Sequence, residues 1–389
     1  MRSTPLLTTS LVILVVFGWL ATTSLAQAQY TLRNPVYVRV TFTQTVINRG
    51  SGALPALDVY VLPPINTSRQ KVLNFLNQQP PVSIEEDEWG QRIFKHSFHN
   101  VQPGQTVNVS WVALVELSEI NYDVSPSDVG NFSDVPAGIL ELYTRDDAMY
   151  DIYNSIVQNA ASEAVGSETN PYYMVQRIHD YVISHLTYEM DNRWDPAPII
   201  LSRGKGSCSE YTCVFIAMCR AKGIPARFAG GSAVSNPGQY KVETAGHRWQ
   251  EVYLPNHGWL PIDVTWDDSV RPERTHLYFL RMLNTHLTMA TAGGSSKYMA
   301  WSYNAKVDFH QASSTNAKTA FSCIWEPATP NTPVPEYVHP APVLVVCITL
   351  GFLLIRSRRR PRFDRSLHAH AEPCEQRDCS SKILFASAT

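Results

Sequence analysis

The feature that most constrains the fold of this chain is a cysteine at the start of a helix, followed by two strands that each carry a polar residue. Cys208 follows a glycine–serine turn and leads into a helix-like stretch over residues 211–222. His247 opens a later β-rich segment, and Asp263 closes the next one. A glycine at position 223 is a typical helix stop. This order predicts an α+β domain in which a helix start faces a small sheet.

The three residue types suit covalent catalysis by a thiol. The thiolate is the reactive form of cysteine, and a helix N-terminus stabilises negative charge on its sulfur. A histidine can take the thiol proton, and a carboxylate can orient the imidazole. The backbone N–H of Cys208 can also face a developing oxyanion. The arrangement fits a thiol hydrolase or transferase, and the alternative is a buried structural cysteine beside a structural histidine.

Four motifs resemble those of the transglutaminase-like superfamily. Residues 206–208 (GSC) are similar to its nucleophile turn, and residues 220–227 (RAKGIPAR) to its R-A-x-G-I-P-A-R helix exit. Residues 247–252 (HRWQEV) are similar to H-A-W-x-E-V, and residues 258–265 (GWLPIDVT) to G-W-x-P-x-D-x-T. The chain is therefore expected to contain a core of this family.

The resemblance extends over roughly residues 170–268 and implies a papain-like α+β core with a Cys-His-Asp triad. It implies that Cys208 is the nucleophile, that His247 is base and acid, and that Asp263 orients the imidazole. The pair Asp267-Asp268 follows closely, so either of these carboxylates is an alternative orienting group.

Several neighbours of the triad are further candidates. Arg248 stands where the family usually has a small residue, and on a strand it points away from the face of His247. We therefore expect Arg248 to bear on substrate or on the surface. Tyr188 is a candidate second oxyanion donor. Trp249 and Trp259 are candidates for lining a substrate groove, with core packing as the alternative. The sequence contains no phosphate loop or paired-histidine metal motif, so we expect neither cofactor nor metal. The alternatives are a cation site in the acidic run 85–88 and a zinc site in the tail, formed by His368, His370, Cys374 and Cys379.

Both ends of the 389-residue chain carry apolar runs. Residues 1–28 have the basic start, apolar middle and Ala-x-Ala site of a signal peptide, with an uncleaved anchor as the alternative. Residues 339–355 predict a membrane helix, and the arginines after it predict a cytoplasmic basic tail over 356–389. Residues 335–337 resemble the Pro-Glu-aromatic motif of prokaryotic sorting tags, but a plain stop-transfer anchor is the preferred interpretation.

Between these ends we expect three regions. Residues 29–133 predict an all-β, sandwich-like domain because short β-rich segments alternate with turns, at 36–42, 57–61 and 107–115. Residues 134–312 are the expected catalytic domain. Residues 313–338 are rich in proline, threonine and alanine and predict a stalk.

Other polar signals are weaker. The expected exterior part contains three cysteines besides Cys208, namely Cys213, Cys219 and Cys323. Because an odd number cannot all form disulfides with one another, we expect them to be buried rather than paired. Glycosylation sequons, relevant only in a host that glycosylates, begin at Asn66, Asn108 and Asn131.

These patterns together predict an exported, membrane-anchored thiol enzyme of prokaryotic type that acts on amide bonds of peptides or proteins through a thioester. Hydrolysis, as a peptidase or amidase, is the preferred reaction. The alternatives are a protein-glutamine transamidase that cross-links proteins, another papain-like hydrolase acting on cell-wall peptides, and an inactive surface scaffold. The net charge of −2 offers no basis for binding nucleic acid. The expected partners are a peptide or protein substrate and, through the C-terminal helix, the membrane.

Overall fold

The computed structural model describes residues 29–191, 193–269, 276–310 and 316–335. The strands are β1 (Tyr30–Asn48), β2 (Leu54–Val61), β3 (Gln70–Asn77), β4 (Ser83–Glu86), β5 (Arg92–Val101), β6 (Thr106–Tyr122), β7 (Thr187–Tyr188), β8 (Lys205–Gly206), β9 (Ala226–Ala233), β10 (Lys241–Glu243), β11 (His247–Leu254), β12 (Gly258–Ile262), β13 (Arg281–Met282), β14 (His286–Ala292), β15 (Ala305–His310) and β16 (Ala317–Pro327). The α-helices are α1 (Ala137–Tyr143), α2 (Ser155–Val165), α3 (Pro171–His185), α4 (Ala197–Arg203), α5 (Cys208–Ala221) and α6 (Val264–Ser269).

The predicted signal peptide, membrane helix and basic tail lie outside the described residues. Within the described ranges, no helix has the length and apolar character needed to cross a bilayer.

Two antiparallel sheets form the β-rich half of the molecule. One sheet has the strand order β10-β16-β1-β6-β13, with β3 also paired to β6, and the other has the order β15-β2-β5-β4. Alternate apolar residues of β1, such as Val38 and Val40, are fully buried, as expected for strands with one face on a core. The sheets meet through aromatic side chains: Phe75 of β3 stacks on Phe94 of β5 with ring centroids 5.6 Å apart.

The prediction of a stalk over residues 313–338 is wrong for Ala317–Pro327, because these residues form strand β16. Strand β16 pairs with β1 along its whole length, from Val38 opposite Pro327 to Asn48 opposite Ala317. Its Trp325 is fully buried and donates its indole N–H to Ser232. The proline- and threonine-rich flanks obscure an alternating apolar pattern within this segment that is typical of a strand.

The expected boundary between a sandwich at 29–133 and a catalytic domain at 134–312 also needs correction. Strand β15 pairs with β2 in the sandwich, although residues 305–310 lie within the expected catalytic domain. Strands β10 and β13 join the larger sheet as well. The sandwich is therefore completed by strands that lie before, within and after the helical core.

The helical core packs around α5. Helices α2, α3 and α4 contact α5 on one side, and strands β11 and β9 contact it on the other. A helix that is enclosed in this way needs apolar residues around its whole circumference, and nearly all of α5 is buried. The sheet against it has the order β12-β11-β9-β14. Asn170 caps α3 through its side chain, and Pro171 occupies the first turn, where its missing N–H is not needed.

Candidate active site

The start of α5 is built to hold Cys208 in place. Ser207 is the N-cap residue, and Glu210 returns its carboxylate to accept the Ser207 backbone N–H over 2.7 Å. The Glu210 carboxylate is buried, and its other oxygen accepts a hydrogen bond from the Arg203 guanidinium. A Cβ at Gly206 would lie 2.6 Å from that of Glu210, so glycine is required before the cap. Cys208 is thus fixed at the first helical position.

Two strand ends bring the other predicted residues to the same place. His247 is the first residue of β11, and Asp263 follows the last residue of β12, the strand paired beside it. His247 Nε2 donates to Asp263 Oδ2 over 2.6 Å. This bond leaves Nδ1 of His247 for the thiol of Cys208, with which the imidazole is hydrogen bonded. The structure therefore brings the three predicted residues together.

The pKa shifts favour a thiolate paired with an imidazolium. Burial raises the pKa of the Cys208 thiol, but the hydrogen bond and charge of His247 outweigh it and hold the pKa below its ordinary value. Burial also lowers the pKa of His247, yet the nearby charge of Asp263 raises it to about 10. The pKa of Asp263 lies well below its usual range because the effect of burial is overcome by its histidine partners. The sulfur is accordingly activated in the free protein.

Asp263 has a second histidine partner that sequence analysis missed. His286, the first residue of β14, donates its Nε2–H to Asp263 Oδ2 over 3.0 Å. The other carboxylate oxygen accepts the backbone N–H groups of Thr265 and Trp266, each over 3.1 Å. Burial lowers the pKa of His286 to about 4, so this imidazole is neutral and donates one proton. No local motif around residue 286 marks it.

The expectation that Arg248 lies at the surface is wrong. Its side chain is buried, and its guanidinium lies over the rings of Trp194, Phe228 and Tyr303 at 4.8, 4.7 and 4.6 Å. It also donates to the carbonyl oxygen of Trp301. The three rings supply the electron-rich faces that a buried cation needs. This position therefore holds a large side chain inside the domain, near the nucleophile.

Tyr303 is a second residue that sequence analysis missed. A Cβ at Gly230 or Gly246 would lie 2.7 Å from its side chain, so the ring packs directly on the backbone beside His247. Burial, followed by the charge of Cys208, raises the pKa of the Tyr303 phenol. Burial and the same thiol raise the pKa of Tyr188, which lies on β7. Both phenols stay protonated close to Cys208.

The two tryptophan candidates do not line a groove at the nucleophile. Trp249 is 1% exposed and packs behind His247 with its ring centroid 5.9 Å away. Trp259 pairs with Tyr253 near the far end of β11, and Arg227 covers its ring at 4.0 Å. Core packing, the alternative stated for both residues, accounts for Trp249. Trp259 lies opposite Tyr253, which is six residues further along β11 than His247. Six residues of extended strand span about 20 Å, so Trp259 is far from His247.

The alternative orienting carboxylates are engaged elsewhere. Asp267 Oδ2 binds Nε2 of His179 over 2.9 Å, and Asp268 accepts the Tyr211 hydroxyl over 2.7 Å. Both bonds hold these carboxylates away from His247. The remaining described cysteines are buried and free, as expected, and burial raises the pKa of each; they are Cys213, Cys219 and Cys323.

Comparison with known proteins identifies the core. Residues 158–264 match the family model of the Transglutaminase-like superfamily. A stretch of 134 residues is 31% identical to an uncharacterised protein of Haemophilus influenzae, covering 28% of this chain and 36% of that protein. A stretch of 100 residues is 35% identical to a protein-glutamine gamma-glutamyltransferase of Pseudomonas aeruginosa, covering 24% of this chain and 13% of that protein. The chain thus spans 36% of the length of the first of these curated relatives and 13% of the second.

A solved structure shares the fold over a longer range. A candidate cysteine protease from Cytophaga hutchinsonii superposes with a TM-score of 0.54 at 19% identity, covering 80% of this chain and 96% of that one. The similarity therefore includes strands of the sandwich as well as the helical core.

Proposed function

Because residues 158–264 form a transglutaminase-like core, we propose that this protein is a thiol enzyme that hydrolyses amide bonds of peptides or proteins. The observation that carries the proposal is the hydrogen-bonded chain from Cys208 through His247 to Asp263, with a bond of 2.6 Å between the last two. A buried thiol whose pKa is lowered is the feature expected of a nucleophile rather than of a structural cysteine.

In the first half of the reaction, the Cys208 thiolate attacks the amide carbonyl carbon. The carbonyl π electrons move to oxygen, and the backbone N–H of Cys208 and the phenol of Tyr188 are proposed donors to that oxyanion. When the intermediate collapses, the C–N bond breaks and His247 gives its proton to the leaving amine. A thioester and a neutral imidazole remain.

In the second half, water attacks the thioester. His247 takes a proton from the water, the C–S bond breaks, and the carboxylic acid leaves while the Cys208 thiolate is restored beside the imidazolium. Asp263 stays ionised throughout and stabilises the charged imidazole in one orientation. His286 and the two backbone donors hold that carboxylate in place.

An amine could replace water in the second half, which would make the protein a transamidase. The observation that favours this alternative is the 35% identity to the Pseudomonas aeruginosa protein-glutamine gamma-glutamyltransferase. An inactive surface scaffold would be favoured by a missing triad member, and Cys208, His247 and Asp263 are all present.

We further propose that the catalytic part lies outside the cytoplasm and is held at the membrane. This proposal is supported by the signal-like pattern of residues 1–28 and by the apolar run and arginines that begin at residue 339.

The reaction is tested by incubating the purified full chain with an amide-labelled peptide library and a labelled primary amine. Release of free carboxylate supports hydrolysis, and incorporation of the amine supports transamidation. The matched control is Cys208→Ala, which removes the nucleophile and should give neither product. If the native protein and Cys208→Ala are equally inactive across the library, with trapping of Cys208 by an electrophilic peptide also absent, the enzyme proposal fails.

A further inference from the structure

A second cluster of histidine and aspartate side chains lies apart from the triad, where α3 meets the segment that begins at residue 276. Asp180 Oδ1 lies 2.9 Å from Nδ1 of His179 and 2.6 Å from Nε2 of His276. These three atoms all lie within 4.8 Å of one another. Two imidazole nitrogens and one carboxylate oxygen from two separate chain segments therefore converge on one point.

The second nitrogen of His179 is held by another carboxylate. His179 Nε2 lies 2.9 Å from Asp267 Oδ2, and both side chains are fully buried. Asp267 is fixed in turn because its Oδ1 accepts the Tyr278 backbone N–H over 2.9 Å. When Nε2 donates to Asp267, the lone pair of Nδ1 faces the cluster. A carboxylate behind a histidine in this way is the usual outer shell of a metal ligand, because it fixes the tautomer and raises basicity.

The cluster also has an entry path and a suitable charge. The side chains of Asp180 and His276 are 51% and 41% exposed, so an ion can reach them and water can complete its coordination. Two carboxylates, Asp180 and Asp267, match the charge of a divalent cation. Two imidazoles with one carboxylate suit zinc, whereas calcium and magnesium prefer oxygen ligands.

We propose that His179, Asp180 and His276 form a zinc site, with Asp267 as the buried carboxylate that orients His179. The site does not depend on the catalytic proposal. Bound zinc would tie α3 to the segment that contains Tyr278, whose carbonyl oxygen accepts the backbone N–H of Asp263 over 3.2 Å. The ion would therefore restrict the motion of the segment that contains Tyr278 and is hydrogen bonded to the backbone of Asp263.

The test is calorimetric titration of the chelator-treated, purified full chain with zinc chloride. It is done in a Cys208→Ser background, so that the catalytic thiolate cannot supply a competing ligand. We expect one saturable site, a rise in melting temperature with zinc, and no response to calcium. Cobalt(II) added instead should give the visible absorption of a site with nitrogen and oxygen ligands.

Variants separate this site from other zinc binding. His276→Gln and Asp180→Asn change exposed side chains and should each abolish the saturable site while leaving the circular dichroism spectrum intact. Asp267→Asn should weaken zinc binding about 10- to 100-fold. The matched control is His185→Gln, which alters an exposed histidine of the same helix outside the cluster. Absence of saturable binding, or equal zinc affinity in His276→Gln and its parent, would mean that the cluster is a hydrogen-bonded network only.

Discussion

His286 donates its Nε2–H to the same Asp263 oxygen that binds His247, so one carboxylate oxygen joins two imidazoles over 3.0 and 2.6 Å. His286 lies outside the matched family segment, yet it is fully buried against the orienting residue of the triad. Because Asp263 must keep one orientation while His247 gains and loses charge, we assign His286 a positioning role.

The first prediction concerns this histidine. His286→Leu removes a hydrogen bond to a charged group, a loss of about 1.5 to 3 kcal/mol, and should lower kcat about 10- to 100-fold with little change in KM. His286→Gln keeps an N–H donor and should recover most of the rate. Steady-state kinetics and the rate of Cys208 alkylation measure both variants. Equal losses in the two variants, accompanied by equal losses of melting temperature, would indicate a packing role instead.

The second prediction concerns the triad. Cys208→Ala should abolish turnover, and His247→Ala should nearly do so. Asp263→Asn should keep the fold but reduce kcat by orders of magnitude, on the order of 10⁴ where tautomer control is lost in other triads. Asp268→Asn is the matched control, since its carboxylate binds Tyr211 and not His247. A greater loss of kcat in Asp268→Asn than in Asp263→Asn would mean that the orienting residue has been misassigned.

The third prediction concerns thiol reactivity. Cys208 should be alkylated by iodoacetamide at mildly acidic pH because His247 lowers its pKa, whereas burial raises the pKa of Cys213 and of Cys323 to about 12. Peptide mapping after a short exposure identifies the labelled residue. His247→Ala should move the alkylation profile of Cys208 to higher pH, since the stabilising charge is lost. Labelling of Cys213 at the same rate as Cys208 would contradict the assignment of the nucleophile.

The fourth prediction concerns acid stability. His96 on β5 is buried, and burial lowers its pKa to about 4 from an ordinary value near 6.5. The unfolded chain therefore takes up a proton at this residue between about pH 6.5 and 4, while the folded chain stays neutral there. The contribution of His96 to the free energy of unfolding should be largest above pH 6.5 and fall by about 1 to 3 kcal/mol as the pH drops across this window. Urea unfolding at several pH values should show a smaller fall in His96→Leu, and an unchanged slope in that variant would exclude His96 as its source.

The fifth prediction tests two things with two truncations: whether the fold needs strand β16, and whether residues 339–355 anchor the protein in the membrane. A chain that stops after Pro330 keeps β16 and should fold, whereas one that stops after His310 loses the partner of β1 and should aggregate. If residues 339–355 are the anchor, fractionation should find the first truncation in the soluble fraction. A folded protein that stays in the membrane would mean that residues 11–20 are an uncleaved anchor. Folding of the shorter chain would contradict the structural role of β16.

The positions of Cys208, His247 and Asp263 could be predicted because each residue lies in a segment whose local pattern reveals its place. A glycine–serine turn before an apolar helix positions Cys208, and β-rich segments place His247 and Asp263 at neighbouring strand ends. Such signals depend on residues within a few positions, so they can be recognised without knowing what the segment packs against.

The rest was decided by contacts between distant parts of the chain. Strand β16 is recognisable as a strand mainly because it pairs with β1, nearly 280 residues earlier, and composition alone suggested a stalk. Arg248 is buried only because Trp194, Phe228 and Tyr303 come together around it. The same holds for His286, which reaches Asp263 because β14 pairs with β9. The sequence by itself determined that a cysteine lies at a helix start and that a histidine and an aspartate lie at two strand ends. Tertiary structure decided their further partners, because burial and hydrogen bonding across the core depend on neighbours that no local pattern specifies.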